Sequence, residues 1–154
     1  MKRYVSAFLL FMFLIAGCSS SNQKEVEKVI QDAFKARADV VFLYKDKKVL
    51  QNYFSPKALG QSRDYLAWSP KGQWNNVKNL KYSTTIRINN LKVDGKQASA
   101  EVSETAVVTW DYIDPSKVMG TAFAKEDAWN NKKHIVTMFL TPDGKWLVEE
   151  DVIQ

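Results

Sequence analysis

The stretch that decides the fold is Tyr82-Ser83-Thr84-Thr85-Ile86-Arg87-Ile88. Tyr82, Thr84, Ile86 and Ile88 alternate with Ser83, Thr85 and Arg87, the period of two that belongs to a half-buried strand. Upstream the period is longer. Val26, Val29, Ile30, Ala33, Phe34, Arg37, Val40, Val41 and Tyr44 fall on one helical face, with Lys24, Glu27, Lys28, Asp32, Lys35 and Asp39 opposite. Asn22, with Glu25 three residues later, predicts the start of that helix as a capping-box variant. Val49, Leu50, Tyr53 and Phe54 predict a second helical piece. Ser55-Pro56 predicts a third, with Ser as N-cap, carrying Ala58, Leu59, Tyr65 and Leu66 until Ser69-Pro70-Lys71-Gly72 stops it. Helices first and strands afterwards predict an α+β fold.

Downstream, Ala98, Ala100, Val102, Ala106, Val108, Trp110 and Tyr112 keep the period of two after an Asp94-Gly95 turn. A two-residue Asp-Gly loop would pair Ile88 with Glu101. A three-residue Val93-Asp94-Gly95 loop pairs Ile88 with Ala100 and Ile86 with Val102, keeps one face apolar, and is the register expected. The C-terminus repeats the grammar: His134 to Leu140 as a strand, Pro142-Asp143-Gly144 as a turn, and Lys145 to Ile153 as the return. This pairs Leu140 with Trp146, Met138 with Val148, Val136 with Glu150 and His134 with Val152. Phe139–Leu147, Thr137–Glu149 and Ile135–Asp151 fall on the other face. Residues 113–131, with Pro115 and Gly120, read as irregular.

The chain has 154 residues, a net charge of +5, one Cys and one His. That length holds one domain. One Cys excludes a disulfide framework, and one His excludes a multi-His metal centre. Residues 18–97 carry 15 Lys plus Arg against 7 Asp plus Glu, and residues 98–154 carry 5 against 10. Lys45, Lys47 and Lys48 cluster in the basic half, which reads more simply as a solvated face than as a site for anionic lipid or wall polymer. A mildly basic chain of this kind is not expected to bind nucleic acid.

The first residues carry their own signal. Lys2 and Arg3 precede an apolar run, Tyr4 to Ala16, broken only by Ser6. Thirteen residues make about 20 Å of helix, short of the roughly 30 Å hydrocarbon core, as in a secretory signal. The run ends in Leu14-Ile15-Ala16-Gly17-Cys18, followed by Ser19-Ser20-Ser21. This resembles the lipobox of bacterial lipoproteins. The resemblance implies a signal peptide over 1–17 that is removed, acylation of Cys18 (palmitate or a similar chain), a lipidated tether over 18–23 and a single domain over 24–154. It places the protein at the cell membrane or outer membrane, lipid-anchored and facing the extracytoplasmic side, and makes the bilayer a partner through Cys18.

The closing strand pair, with Asp143-Gly144-Lys145 leading into Trp146-Leu147-Val148 and an acidic Asp151, is similar to the end of NTF2-like (cystatin-like) domains. It is also similar to the small domain preceding some wall-amidase modules. The resemblance implies N-terminal helices on a curved antiparallel sheet forming a cone, and, by analogy, a homodimer through the sheet. Such domains include enzymes, binding proteins and interaction modules, so fold alone does not assign function.

His134 is the only imidazole. In the expected register Glu150 lies diagonally across from it on one face, and a His134–Glu150 pair could act as a general base with an orienting carboxylate. The simpler reading is a charge pair at a sheet end, and Asp151 is expected on the opposite face. Trp68, Trp74, Trp110, Tyr112 and Trp129 sit near element ends, where aromatics line pockets or contact partners. Trp146 and Phe34 read as core. No cofactor or metal site is expected. The reading is therefore a non-enzymatic binding or interaction domain of the cell envelope, with a small ligand, a wall fragment or an envelope protein as partner. The alternatives are a small enzyme of isomerase, dehydratase or hydrolase type using His134 and Glu150, and a structural tether.

Overall fold

The computed structural model describes residues 4–43, 46–61, 76–118 and 126–154, with side chains in the first helix from residue 21 onward. Helix α1 spans Tyr4–Leu43 and helix α2 spans Pro56–Gln61; the strands are β1 Val77–Asp94, β2 Gln97–Tyr112, β3 Glu126–Leu140 and β4 Trp146–Ile153. The strands form one antiparallel sheet in the order β1-β2-β3-β4. This is the α+β architecture expected. Among the described residues, no helix is long and apolar enough to cross a membrane.

The apolar stripe of α1 lies on the inner face of the sheet. Val26, Ile30, Ala33 and Phe34 are sealed against Ala98, Ala100, Val102, Val136, Met138, Trp146 and Val148. Fully burying a Val, Ile, Phe or Met side chain stabilises by roughly 1.5–3 kcal/mol. Trp146 and Phe34 belong to this core, as expected. Nearer the helix C-terminus, Ala38, Phe42 and Val108 form a second cluster with Leu80, Tyr82 and Trp110 around it. Asn22 is not a cap: α1 begins at Tyr4 and runs through residues 18–23 without a break. The apolar run upstream is itself helix-forming, so Asn22 and Glu25 stand mid-helix. Asp39, expected on the polar face, is buried.

The segment after α1 follows the sequence closely. Lys47–Asn52 is a 3-10 turn with Leu50 buried. Ser55 caps α2, its Oγ accepting from Ala58 N at 3.1 Å. Tyr44, Lys45, Tyr65 and Leu66 lie outside the described residues. Tyr53 to Ser55 stitches onto β4: Val148 N donates to Tyr53 O and Ser55 N to Val148 O, both at 2.8 Å.

The sheet departs from the expected registers through the placement of the first loop and through β-bulges. In the first hairpin Asp94 pairs with Gln97, so the loop is Gly95-Lys96. Gly95 has φ +56°, at the first loop position, where tight hairpins favour glycine. Ile88 faces Val102 and Ile86 faces Glu104. The inward face is the one expected, but the register is displaced by two residues. Register shifts lie between Lys78 and Lys81, between Asn89 and Lys92, and on the β2–β3 ladder between Glu104 and Ala106. At each shift one strand holds one residue more than its partner, and each holds an asparagine in the left-handed region: Asn79, Asn90 and Asn131. Asn tolerates that conformation better than other side-chain-bearing residues, and bulges bend and twist the strand that carries them.

Residues 126–131, expected to be irregular, are the start of β3 and pair with β2. Pro115–Lys117 forms a 3-10 turn capped by Asp114. In the last hairpin, Leu140–Trp146, Phe139–Leu147 and Met138–Val148 pair as expected. A bulge then shifts the rest, so that Thr137 faces Glu150, Val136 faces Asp151, Ile135 faces Val152 and His134 faces Ile153. Glu149 is the extra residue, and beyond it every side chain of β4 changes face.

Candidate functional site

The shift at Glu149 decides the site. It turns Asp151 inward beside His134 and leaves Glu150 on the outside, where it accepts from Lys57 Nζ at 2.7 Å. The expected His134–Glu150 pair does not form; the partner of His134 is Asp151. A carboxylate only accepts, so His134 Nδ1 carries the hydrogen and donates to Asp151 Oδ1 at 2.7 Å.

Two further residues complete a tetrad. Arg37 lies on the inward stripe of α1, where its guanidinium reaches two strands. Nη1 donates to Asp151 Oδ2 at 2.7 Å and Nη2 to Glu104 Oε2 at 2.9 Å. His134 Nε2 sits 3.6 Å from the same Glu104 oxygen, too far for a hydrogen bond, and has no hydrogen-bond partner among the described residues. Phe34 closes the arrangement, edge-on to the His134 ring at 5.0 Å between centroids and beneath the Arg37 guanidinium at 4.1 Å. One helix and three strands thus meet at a single ionic cluster.

The cluster is closed to solvent. Arg37, Glu104 and His134 are 4%, 3% and 1% exposed, and the Asp151 side chain is 7% exposed. With His134 neutral the tetrad carries one net negative charge; with His134 protonated it is neutral. Burial disfavours the charged ring and Arg37 repels it, but the Asp151 and Glu104 carboxylates outweigh both and raise the His134 pKa above its usual 6.5. A second, smaller pairing lies nearby. The Tyr82 hydroxyl donates to Asp39, which also meets Lys35 at 3.4 Å. Burial first, then the Asp39 carboxylate, pushes the Tyr82 phenol upward.

What this geometry can do follows from access. A general base needs its proton acceptor within hydrogen-bond reach of a substrate. The His134 ring has no face open to one, and both neighbouring carboxylates are tied to Arg37. The tetrad locks α1 to β2, β3 and β4. Arg37 and Glu104 were not singled out as site residues from the sequence. Glu104 broke the apolar alternation between Val102 and Ala106, and Arg37 fell on an apolar helix face; together those two misfits were the signal.

The aromatic candidates separate. Trp68 and Trp74 lie outside the described residues. Trp129 belongs to β3, with its backbone opposite Ala106. Trp110 is half-buried and packs on the second cluster. It also lines an open groove of about 640 Å³ with Asn79, Leu80, Lys81, Thr109, Asp111 and Glu126. Tyr112 ends β2 opposite Val77 and is not part of that lining. Cys18 lies within α1.

No protein-family model matches the chain, and no curated protein does. Solved structures do. The intermembrane space region of the chloroplast protein ARC6 is similar with a TM-score of 0.58 at 15% identity, over 84% of this chain and 94% of that one. Kfla4162 from Kribbella flavida is similar with a TM-score of 0.58 at 13% identity, over 86% of this chain and 91% of that one. At these identities the likeness is one of fold: a helix laid on a four-stranded antiparallel sheet.

Proposed function

We propose that this chain is a lipoprotein held at the extracytoplasmic side of a bacterial membrane by acylated Cys18, and that its NTF2-like domain binds a partner or ligand rather than catalysing a reaction. The observation that carries the second half is the sealing of His134. The one imidazole of the chain is spent on an internal lock, and what it orders is the surface around it. Among the described residues, the groove beside Trp110, the outer face of the sheet and the free edge of β1 are open for binding. The first half rests on Leu14-Ile15-Ala16-Gly17-Cys18.

Two measurements test this. Bacteria expressing the full chain are fed an alkyne-bearing fatty acid. The wild type is expected to take up label and the Cys18→Ser variant none; label on both, or on neither, removes the anchor. Diethylpyrocarbonate is then applied to the folded protein. His134 is expected to stay unmodified until denaturant is added, and rapid native-state modification would return it to the list of catalytic bases.

A further inference from the structure

Strand β1 is an edge of the sheet and the longest of the four strands. Between its two bulges it runs straight from Lys81 to Asn89, about 27 Å at the usual rise per residue. Among the described residues, no backbone group outside the sheet bonds to this stretch. Its inward side chains, Tyr82, Thr84, Ile86 and Ile88, are half-buried, whereas Lys81, Ser83, Thr85, Arg87 and Asn89 are exposed on the outer face. Lys78 and Lys92 flank the bulges on that same exposed side.

The cations of this strand lie in one row along the edge, and like Lys24, Lys48, Lys96, Lys132 and Lys133 they are without a carboxylate partner among the described residues. Lys28, Lys57, Lys117 and Lys145 each meet a carboxylate. Among the described residues, Lys78, Lys81, Arg87 and Lys92 meet none. Two carboxylates on neighbouring β2 are within the same region, and each is held by a bulge asparagine. Asn79 Nδ2 donates to Asp111 Oδ2 and Asn90 Nδ2 to Glu101 Oε2, both at 2.9 Å. The asparagines that bend β1 thereby engage the acids nearest its cations.

We infer that the Lys81–Asn89 edge of β1 is a docking rail for an extended acidic segment of a partner protein, which adds to the sheet as a fifth strand. Main-chain bonds to a free edge supply affinity in this mode, and alternate side chains supply selectivity. A strand laid along β1 sets its outward side chains about 5 Å from those of β1. The strand that fits carries acids six residues apart, opposite Lys81 and Arg87, and small residues between them opposite Ser83 and Thr85. A second copy of this chain is the wrong occupant. Antiparallel self-pairing centred on Thr84 sets Lys81 against Arg87 twice, and like charges directly opposite are destabilising. The inference deepens the binding reading above by naming the partner's chemistry, and it does not depend on the anchor.

The test uses the full chain in mild detergent and a labelled synthetic peptide, Glu-Val-Thr-Val-Thr-Val-Glu. Fluorescence anisotropy reads binding, and hydrogen exchange reads protection of the amides of residues 81–89. Binding with protection in that stretch is expected. A double charge reversal, Lys81→Glu with Arg87→Glu, is expected to weaken binding about tenfold or more, since two favourable cross-strand pairs become repulsive ones. A peptide of equal charge with prolines in place of the valines cannot pair along its backbone and is expected not to bind. Equal binding of the proline peptide, unchanged affinity in the charge-reversed variant, or no protection at 81–89 overturns the inference. A binder recovered by native mass spectrometry without involvement of β1 would overturn the rail while leaving the wider binding reading in place.

Discussion

Asp-Gly-Lys occurs twice in this chain, at 94–96 and 143–145, and makes two different turns. In the β1–β2 hairpin the strands run to Asp94 and Gln97 and the loop is Gly95-Lys96. In the β3–β4 hairpin the ladder stops at Leu140 and Trp146. Thr141 N donates to Lys145 O at 2.8 Å, and Gly144 N donates to Thr141 O at 3.0 Å. Pro142 cannot donate to a ladder, so the second turn opens one residue before it, while Val93 lets the first ladder run on. The hairpins also place their bulges to different effect. The bulge at Asn90 leaves Glu101 exposed on the outer face, whereas the bulge at Glu149 turns Asp151 into the core. An identical tripeptide therefore fixes neither loop length nor register, which belong to the residues on either side.

The contrast can be broken most forcefully at the two carboxylates. Asp151→Ala leaves the buried Arg37 and His134 without their shared partner and is expected to cost about 3–5 kcal/mol in chemical denaturation. Glu101→Ala, the matching change in the first hairpin, is expected to stay within about 0.5 kcal/mol. Equal costs would mean that the buried tetrad does not hold the fold. Next comes Asn90→Val, which forces a β-branched residue into the left-handed region and is expected to cost about 1–2 kcal/mol. Asn90→Gly should be nearly silent by the same denaturation curve, and a tolerated valine would argue against the bulge.

A gentler effect belongs to His134. Its pKa is raised by folding, so its contribution to stability is complete below its ordinary value of 6.5 and is lost as pH rises through the raised value. Melting temperature is expected to decline over that alkaline side in the wild type and to be flatter in His134→Gln. A melting temperature that climbs with pH there would reverse the sign and the assignment. One deletion is the most discriminating. Deleting Glu149 removes the extra residue of the bulge and keeps Asp151 opposite Val136, so the cost is expected to be about 1 kcal/mol. In a plain hairpin without the bulge the same deletion would swap the faces of Glu150 and Asp151 and unfold the protein.

Much of this is legible in the sequence. The long period of Val26 to Val41 gave the buried stripe of α1, and the alternation of Tyr82 to Ile88 gave the inward face of β1. Ser55-Pro56 gave the start of α2. Register was not legible, because periodicity reports which face a residue takes and says nothing of where an unpaired residue enters. The left-handed asparagines at 79, 90 and 131 carry that information, and an asparagine in a strand reads as a weak strand former instead. The site suffered from the same blindness. His134 stood out as the only imidazole, yet its partner depended on one extra residue at 149. Glu104 was invisible for a different reason: a carboxylate in an apolar alternation looks like a gap until its cation, on a helix 67 residues earlier, is placed beside it.

Arg37 and Asp151 are 114 residues apart in the chain, and Val148 is held by residues 53 to 55. Arg37 meets its first carboxylate, Glu104, on β2, but its second arrives only with β4, and residues 53 to 55 have no strand to stitch to before then. Contacts of such long sequence separation form late and slow folding. The lock that fixes the domain is therefore among the last of its contacts to form.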